Sequence, residues 1–106
     1  MPKYLISASY SAEGLRGLQK DKASGRRQAV TAAIEGLGGK VEGFYNALGA
    51  DYAYVIADLP ENSTAAALGI AVSAAGLVRT RTTALLTVEE TDRALEKTVN
   101  YRAPGR

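Results

Sequence analysis

The sequence predicts an α+β domain in which two strand–helix–strand units form a four-stranded antiparallel sheet, followed by an extra C-terminal helix. Three observations carry this. Period-two alternation marks four short strand segments, at residues 3–10, 40–46, 52–59 and 78–86. Helical periodicity fills the gaps between the first and second and between the third and fourth. The second and third segments are separated only by a short turn, as in a hairpin.

In the first strand Tyr4, Ile6, Ala8 and Tyr10 share one face, and Leu5, Ser7 and Ser9 the other. Ser11 is placed to cap a short, weak helical turn over 12–18, where Gly14 and Gly17 lower helix propensity. A firmer helix is expected over 24–37, with Ala29, Val30, Ala33, Ile34 and Leu37 as its apolar stripe and Gly38-Gly39 as its stop. In the second strand simple alternation sets Val41, Gly43 and Tyr45 on one face and Phe44 on the other. Gly49 and Asp51 supply the turn. The third strand is rich in β-branched and aromatic residues; Tyr52, Tyr54 and Ile56 are expected on one face, with Ala53, Val55 and Ala57 under the helices.

Pro60 ends this strand, and Asn62 or Ser63 is expected to cap a second long helix, with Ala65, Leu68, Val72 and Ala75 turned inward and Gly76 as its end. The fourth strand, rich in Thr and Arg, belongs at an edge beside the first, with the second strand at the other edge. Thr87 and Glu90 form a capping-box pattern that opens a helix over 88–99, with Thr91, Leu95 and Val99 as a thin apolar line suited to clasping a neighbour. The resulting order is the split β-α-β arrangement of the ferredoxin-like fold. All 106 residues make one domain, with 99–106 expected as a tail.

Composition removes whole classes of chemistry. The chain has no Cys, no His and no Trp. That excludes a disulfide framework, a thiolate nucleophile, a Ser-His-Asp triad, and Cys or His ligation of zinc, haem iron or iron–sulfur clusters. Neither a cofactor nor a metal site is expected. No catalytic residue is assigned, because any acid–base work would fall to carboxylates, tyrosines or lysines in no recognisable constellation.

The net charge is +2, from 13 Lys+Arg against 11 Asp+Glu. The densest basic cluster, Lys20, Lys22, Arg26 and Arg27, is interrupted by Asp21 and reads as solvated surface. No nucleic-acid partner is expected. No apolar run approaches membrane-spanning length, and the chain enters its first strand without a signal-like core, so a cytoplasmic location is expected.

Three stretches in fixed order carry a family resemblance. Leu37-Gly38-Gly39-Lys40-Val41-Glu42-Gly43-Phe44-Tyr45 leads into Leu48-Gly49-Ala50-Asp51-Tyr52-Ala53-Tyr54-Val55-Ile56. Gly76-Leu77-Val78-Arg79-Thr80-Arg81-Thr82 and Leu86-Thr87-Val88-Glu89-Glu90 follow. Together they resemble the GYD domain family over roughly residues 4–98. The acid and the aromatic of the family's Gly-Glu-Tyr-Asp order stand exchanged here, as Asp51-Tyr52, which turns each to the opposite face. The resemblance implies a dimeric α/β barrel, in which two ferredoxin-like sheets pack face to face, and a function not characterised for the family.

The candidate ligand-binding or interface residues are Tyr10, Tyr45, Tyr52, Tyr54, Ile56, Arg79 and Arg81. Tyr and Arg are favoured in interfaces, and Arg also holds carboxylate or phosphate through paired hydrogen bonds. Asp51 reads as a turn residue, and Asp58 as the partner of an Arg across the sheet. The expected function is a homo-oligomeric module, a dimer or larger, that binds a small organic ligand or another protein. The alternative is a cofactor-independent monooxygenase or isomerase acting on a phenolic or quinone-like substrate. A closed pocket with a desolvated titratable group would favour the enzyme; an apolar pocket without one would favour binding.

Overall fold

A computed structural model describes residues 1–106. Its elements are β1 (Lys3–Tyr10), α1 (Ala12–Gly36), β2 (Lys40–Asn46), β3 (Ala53–Asp58), α2 (Asn62–Ala74), β4 (Val78–Leu85) and α3 (Val88–Leu95). The sheet runs β2-β3-β1-β4, antiparallel throughout. The apolar strands β1 and β3 are thus central and the Thr- and Arg-bearing strands lie at the edges, as the composition of each predicts. This is the ferredoxin-like arrangement, with α3 appended.

The core lies between the sheet and one layer of helices. Tyr4, Ile6, Val55 and Ala57 rise from the sheet to meet Ile34 of α1, Ala65 of α2 and Leu59, which is fully buried just beyond β3. Tyr4 also donates its hydroxyl to Asn62 at 2.5 Å, joining β1 to the start of α2. No helix is long and apolar enough to cross a membrane.

Several local expectations are corrected. The helical turn expected after Ser11 is present, with Ser11 as its cap, but it runs past residue 18 as far as a break at Lys22, beyond which the helix continues to Gly36. What supports it is tertiary: the Ser11 N–H and hydroxyl both donate to the Leu77 carbonyl, and a Cβ on Gly14 would stand 2.2 Å from that oxygen. Only glycine allows the helix so close. The break at Lys22, with φ of 67° and ψ of 165°, falls between the two helical segments that the sequence predicts. In β2 the register shifts between Val41 and Gly43, so two residues of this strand occupy one step of its neighbour. The bulge turns Val41 to the same side as Phe44, and both pack on the core.

The N-cap of α2 is Glu61, whose side chain makes no capping bond to the backbone. Ser63 donates instead to the Glu61 carboxylate at 2.9 Å. Asp58 pairs with Lys3 at 2.9 Å rather than with an arginine, and Lys3 also meets Glu42. Those two carboxylates, Glu42 first, raise the Lys3 pKa above its ordinary value.

The C-terminal helix begins at the expected capping box, where Thr87 accepts from the Glu90 N–H at 3.1 Å and donates its own N–H to the Glu90 carboxylate at 2.9 Å. It ends at Leu95, four residues before the expected boundary, and none of its residues is buried. The radius of gyration is 16.8 Å, against about 13 Å for a compact chain near this length. The excess reflects a C-terminal arm that does not fold back onto the body. Val88, Leu95, Val99 and Tyr101 all remain exposed along it.

Candidate functional site

The sheet has two unlike faces, and each gathers some of the candidate residues. On the face away from the helices, register sets Ile56 opposite Leu5, Tyr54 opposite Ser7, and Tyr45 opposite Tyr54. Arg81 stands opposite Ser7, and Arg79 opposite Ser9, on the other side of β1. Tyr45, Tyr54, Ile56, Arg79 and Arg81 therefore share one open surface, with Arg79 and Arg81 toward its β4 rim.

Asp51 organises the polar end of that surface. Its carboxylate accepts from the Ser9 hydroxyl at 2.7 Å, from the Tyr54 hydroxyl at 3.3 Å and from the Arg81 guanidinium. Its side chain is only 16% exposed, whereas that of Arg81 is 75% exposed. The Ser9 hydrogen bond first, then the charge of Arg81, lowers the Asp51 pKa below the ordinary carboxylate range. A carboxylate so held is a poorer base than a free one. Asp51 is still the turn residue that the sequence suggests, but its side chain ties the hairpin to β1, β3 and β4 together.

Tyr10 and Tyr52 lie elsewhere. Tyr52 falls just before β3, and its ring meets Tyr10 edge-on, with centroids 6.2 Å apart and planes at 85°. Tyr10 belongs to the helix-covered face, and Tyr52 leans with it toward Leu18 and Ala23 of α1. The expectation that Tyr52 shares a face with Tyr54 and Ile56 is thus corrected. Tyr52 still donates its N–H to the Ala8 carbonyl at 2.9 Å and accepts from the Ala47 N–H at 3.0 Å, but it stands at the turn before β3, and its ring lies on the apolar side.

Between the helices and the sheet lies a cavity of about 210 Å³. Its floor includes Ile6, Val55 and Phe44, and its walls are Ala29 and Ala33 from α1 and Leu68, Gly69 and Val72 from α2. The small residues explain why the space is open. Ala29, Ala33 and Gly69 leave room beside Val30, Leu68 and Val72 that larger side chains at those three positions would fill. Twelve of the sixteen lining residues are hydrophobic, and no carboxylate, amine, imidazole or thiol is among them. The other four are Gly69, Thr80 and Thr82 of β4, and Arg26.

Arg26 is the residue that sequence reasoning misplaced. In the sequence it reads with Lys20, Lys22 and Arg27 as solvated surface, yet it is half-buried and lines the cavity. Its Nε is buried without a hydrogen-bond partner. The signal was in the spacing: Arg26 precedes Ala29, Val30 and Ala33 by three, four and seven residues, which sets it on the apolar stripe of the helix.

Four antiparallel strands under two helices, with a hollow between the layers, define a ferredoxin-like α+β protein. A profile described as GYD domain matches residues 4–95, and the chain belongs to the GYD domain family. Searches of curated proteins and of solved structures find no match.

Proposed function

We propose that the protein is a small-molecule-binding module that works as a homodimer. The apolar cavity of about 210 Å³ between α1, α2 and the sheet carries this reading. Ligand sites are concave and mostly apolar, with a few placed polar groups, and drug-sized ligands occupy roughly 300–1,000 Å³. An apolar cavity of about 150 Å³ is enough to take up benzene. The occupant here falls between those sizes: a compact organic molecule.

Binding is favoured over catalysis by the chemistry of the lining. A general acid or base needs a group poised to gain or lose a proton near neutral pH. The lining holds no carboxylate, amine, imidazole or thiol. The one strongly organised carboxylate, Asp51, lies among open-face residues with its proton affinity reduced.

Dimerisation is supported by what one chain leaves uncovered. Only eleven of the 106 residues are buried. Two helices cover one face of the sheet, and the other presents Leu5, Tyr45, Tyr54 and Ile56 beside Arg79 and Arg81. A second copy packed on that face under twofold symmetry would cover it and close the barrel. The exposed apolar line of the C-terminal arm would lie against the partner's edge.

The binding reading is tested with a neutral apolar probe, octanol, titrated into the protein while amide chemical shifts are followed. Shifts are expected around Val55, Leu68 and Gly69. In the Ala33→Phe variant, whose ring would take up space at the cavity wall, they are expected to vanish. Shifts scattered over the surface, unchanged by Ala33→Phe, would overturn the reading.

A further inference from the structure

Arg26 marks one end of the cavity with a cation that nothing in the protein neutralises. It takes part in none of the three ion pairs of the fold, which are Lys3–Glu42, Lys3–Asp58 and Arg81–Asp51. Asp21 lines an adjoining hollow together with Arg26 but makes no ion pair with it. The Nε of Arg26 is buried with no hydrogen-bond partner. Water cannot reach that atom, so a ligand in the cavity would meet the remainder of the half-buried Arg26 side chain, which lines it.

Resting on the binding reading above, we propose that the cavity takes a monocarboxylate with a compact hydrocarbon body, its carboxylate held by the Arg26 guanidinium. Three observations choose this class. The planar fork of a guanidinium matches the two oxygens of a carboxylate. The lining holds one cation and no anion, so a single negative charge is balanced there. A phosphate monoester would bring a second charge that no lining residue neutralises, and taking it out of water is costly. The remaining wall suits hydrocarbon: Ile6, Val55, Leu68 and Val72 offer no other polar contact, and the volume limits the body to a short chain or a single ring.

The test compares octanoate with octanol, which differ in the charged head and little in the body. Calorimetric titration at neutral pH is expected to show octanoate binding about ten- to a hundredfold more tightly, the range for a charge-assisted hydrogen-bonded head. In Arg26→Met that preference should disappear while octanol still binds, and Arg26→Lys should restore part of it. Equal affinity for the two probes in the native protein would overturn the carboxylate assignment and leave the binding reading standing. A preference for octanoate that survives in folded Arg26→Met, checked by circular dichroism, would overturn the role of Arg26. Failure of both probes to bind the native protein would overturn the cavity as a ligand site altogether.

Discussion

Ser9 and Asp51, 42 residues apart in the chain, are joined by a hydrogen bond of 2.7 Å in which the serine hydroxyl donates to the carboxylate. The bond fastens the β2–β3 turn to the end of β1. Tyr54 and Arg81 complete the set from β3 and β4. One acidic side chain thus holds parts of three strands and a turn in register.

Because these partners lower the Asp51 pKa, the stability it contributes has a defined pH range. A depressed carboxylate stabilises the fold above its unfolded value of 3.8, and that contribution is lost as pH falls through the folded value. Asp51→Asn is therefore expected to lower the Tm at neutral pH. The gap between variant and native should narrow as the medium is acidified, until the two melt together. Thermal melts by circular dichroism over a pH series check this. A gap independent of pH would count against the charge as its source.

Neighbouring residues of β3 should respond in opposite ways to the same substitution. Val55 is 4% exposed within the core, so Val55→Asp is expected to cost about 5 kcal/mol or more and to unfold the chain. Ile56 stands on the open face, and Ile56→Asp is expected to give a folded monomer. Light scattering reports the assembly and circular dichroism the fold. A native-like dimer of Ile56→Asp with unchanged Tm would remove the open face as the interface.

Two helical glycines should also diverge. A Cβ at Gly69 would meet its nearest neighbour, the Thr80 hydroxyl, at 3.4 Å, an ordinary contact. Gly69→Ala should stabilise the protein by about 0.5–1 kcal/mol through helix propensity. At Gly14 the new Cβ would lie 2.2 Å from the Leu77 carbonyl oxygen, which is backbone and has little room to move. Gly14→Ala is expected to destabilise by about 1–3 kcal/mol. Urea unfolding of both variants measures the difference.

Lys22 holds a backbone conformation, φ 67° and ψ 165°, that is essentially confined to glycine. Lys22→Gly should relieve strain of about 1–3 kcal/mol, less the greater entropy that glycine adds to the unfolded chain. A net rise in Tm is expected in a thermal melt. A fall would show that the kink is held without strain.

Much of this molecule is legible in the chain itself. Alternation in β1, with Tyr4, Ile6 and Ala8 on one side and Leu5, Ser7 and Ser9 on the other, decides which residues enter the core, because a pleated strand has a period of two. The apolar density of β1 and β3 sets them at the centre of the sheet, and Thr87 with Glu90 announces the start of α3. These are local properties, carried by residues a few positions apart.

What the chain alone left open depends on contacts between distant segments. The bulge that turns Val41 inward follows from the fit of β2 to β3, and simple alternation misplaces it. The capped turn after Ser11 is legible, but its extension to the Lys22 break is not, and Ser11 and Gly14 meet Leu77, more than sixty residues away. Tyr52 leaves the face of Tyr54 to pack on Tyr10. Arg26 acquires its significance only when α2 is placed beside α1 and a hollow remains between them. A cavity belongs to no single segment: its volume is the space that side chains from two helices and the sheet leave unfilled, and only the packed fold determines it.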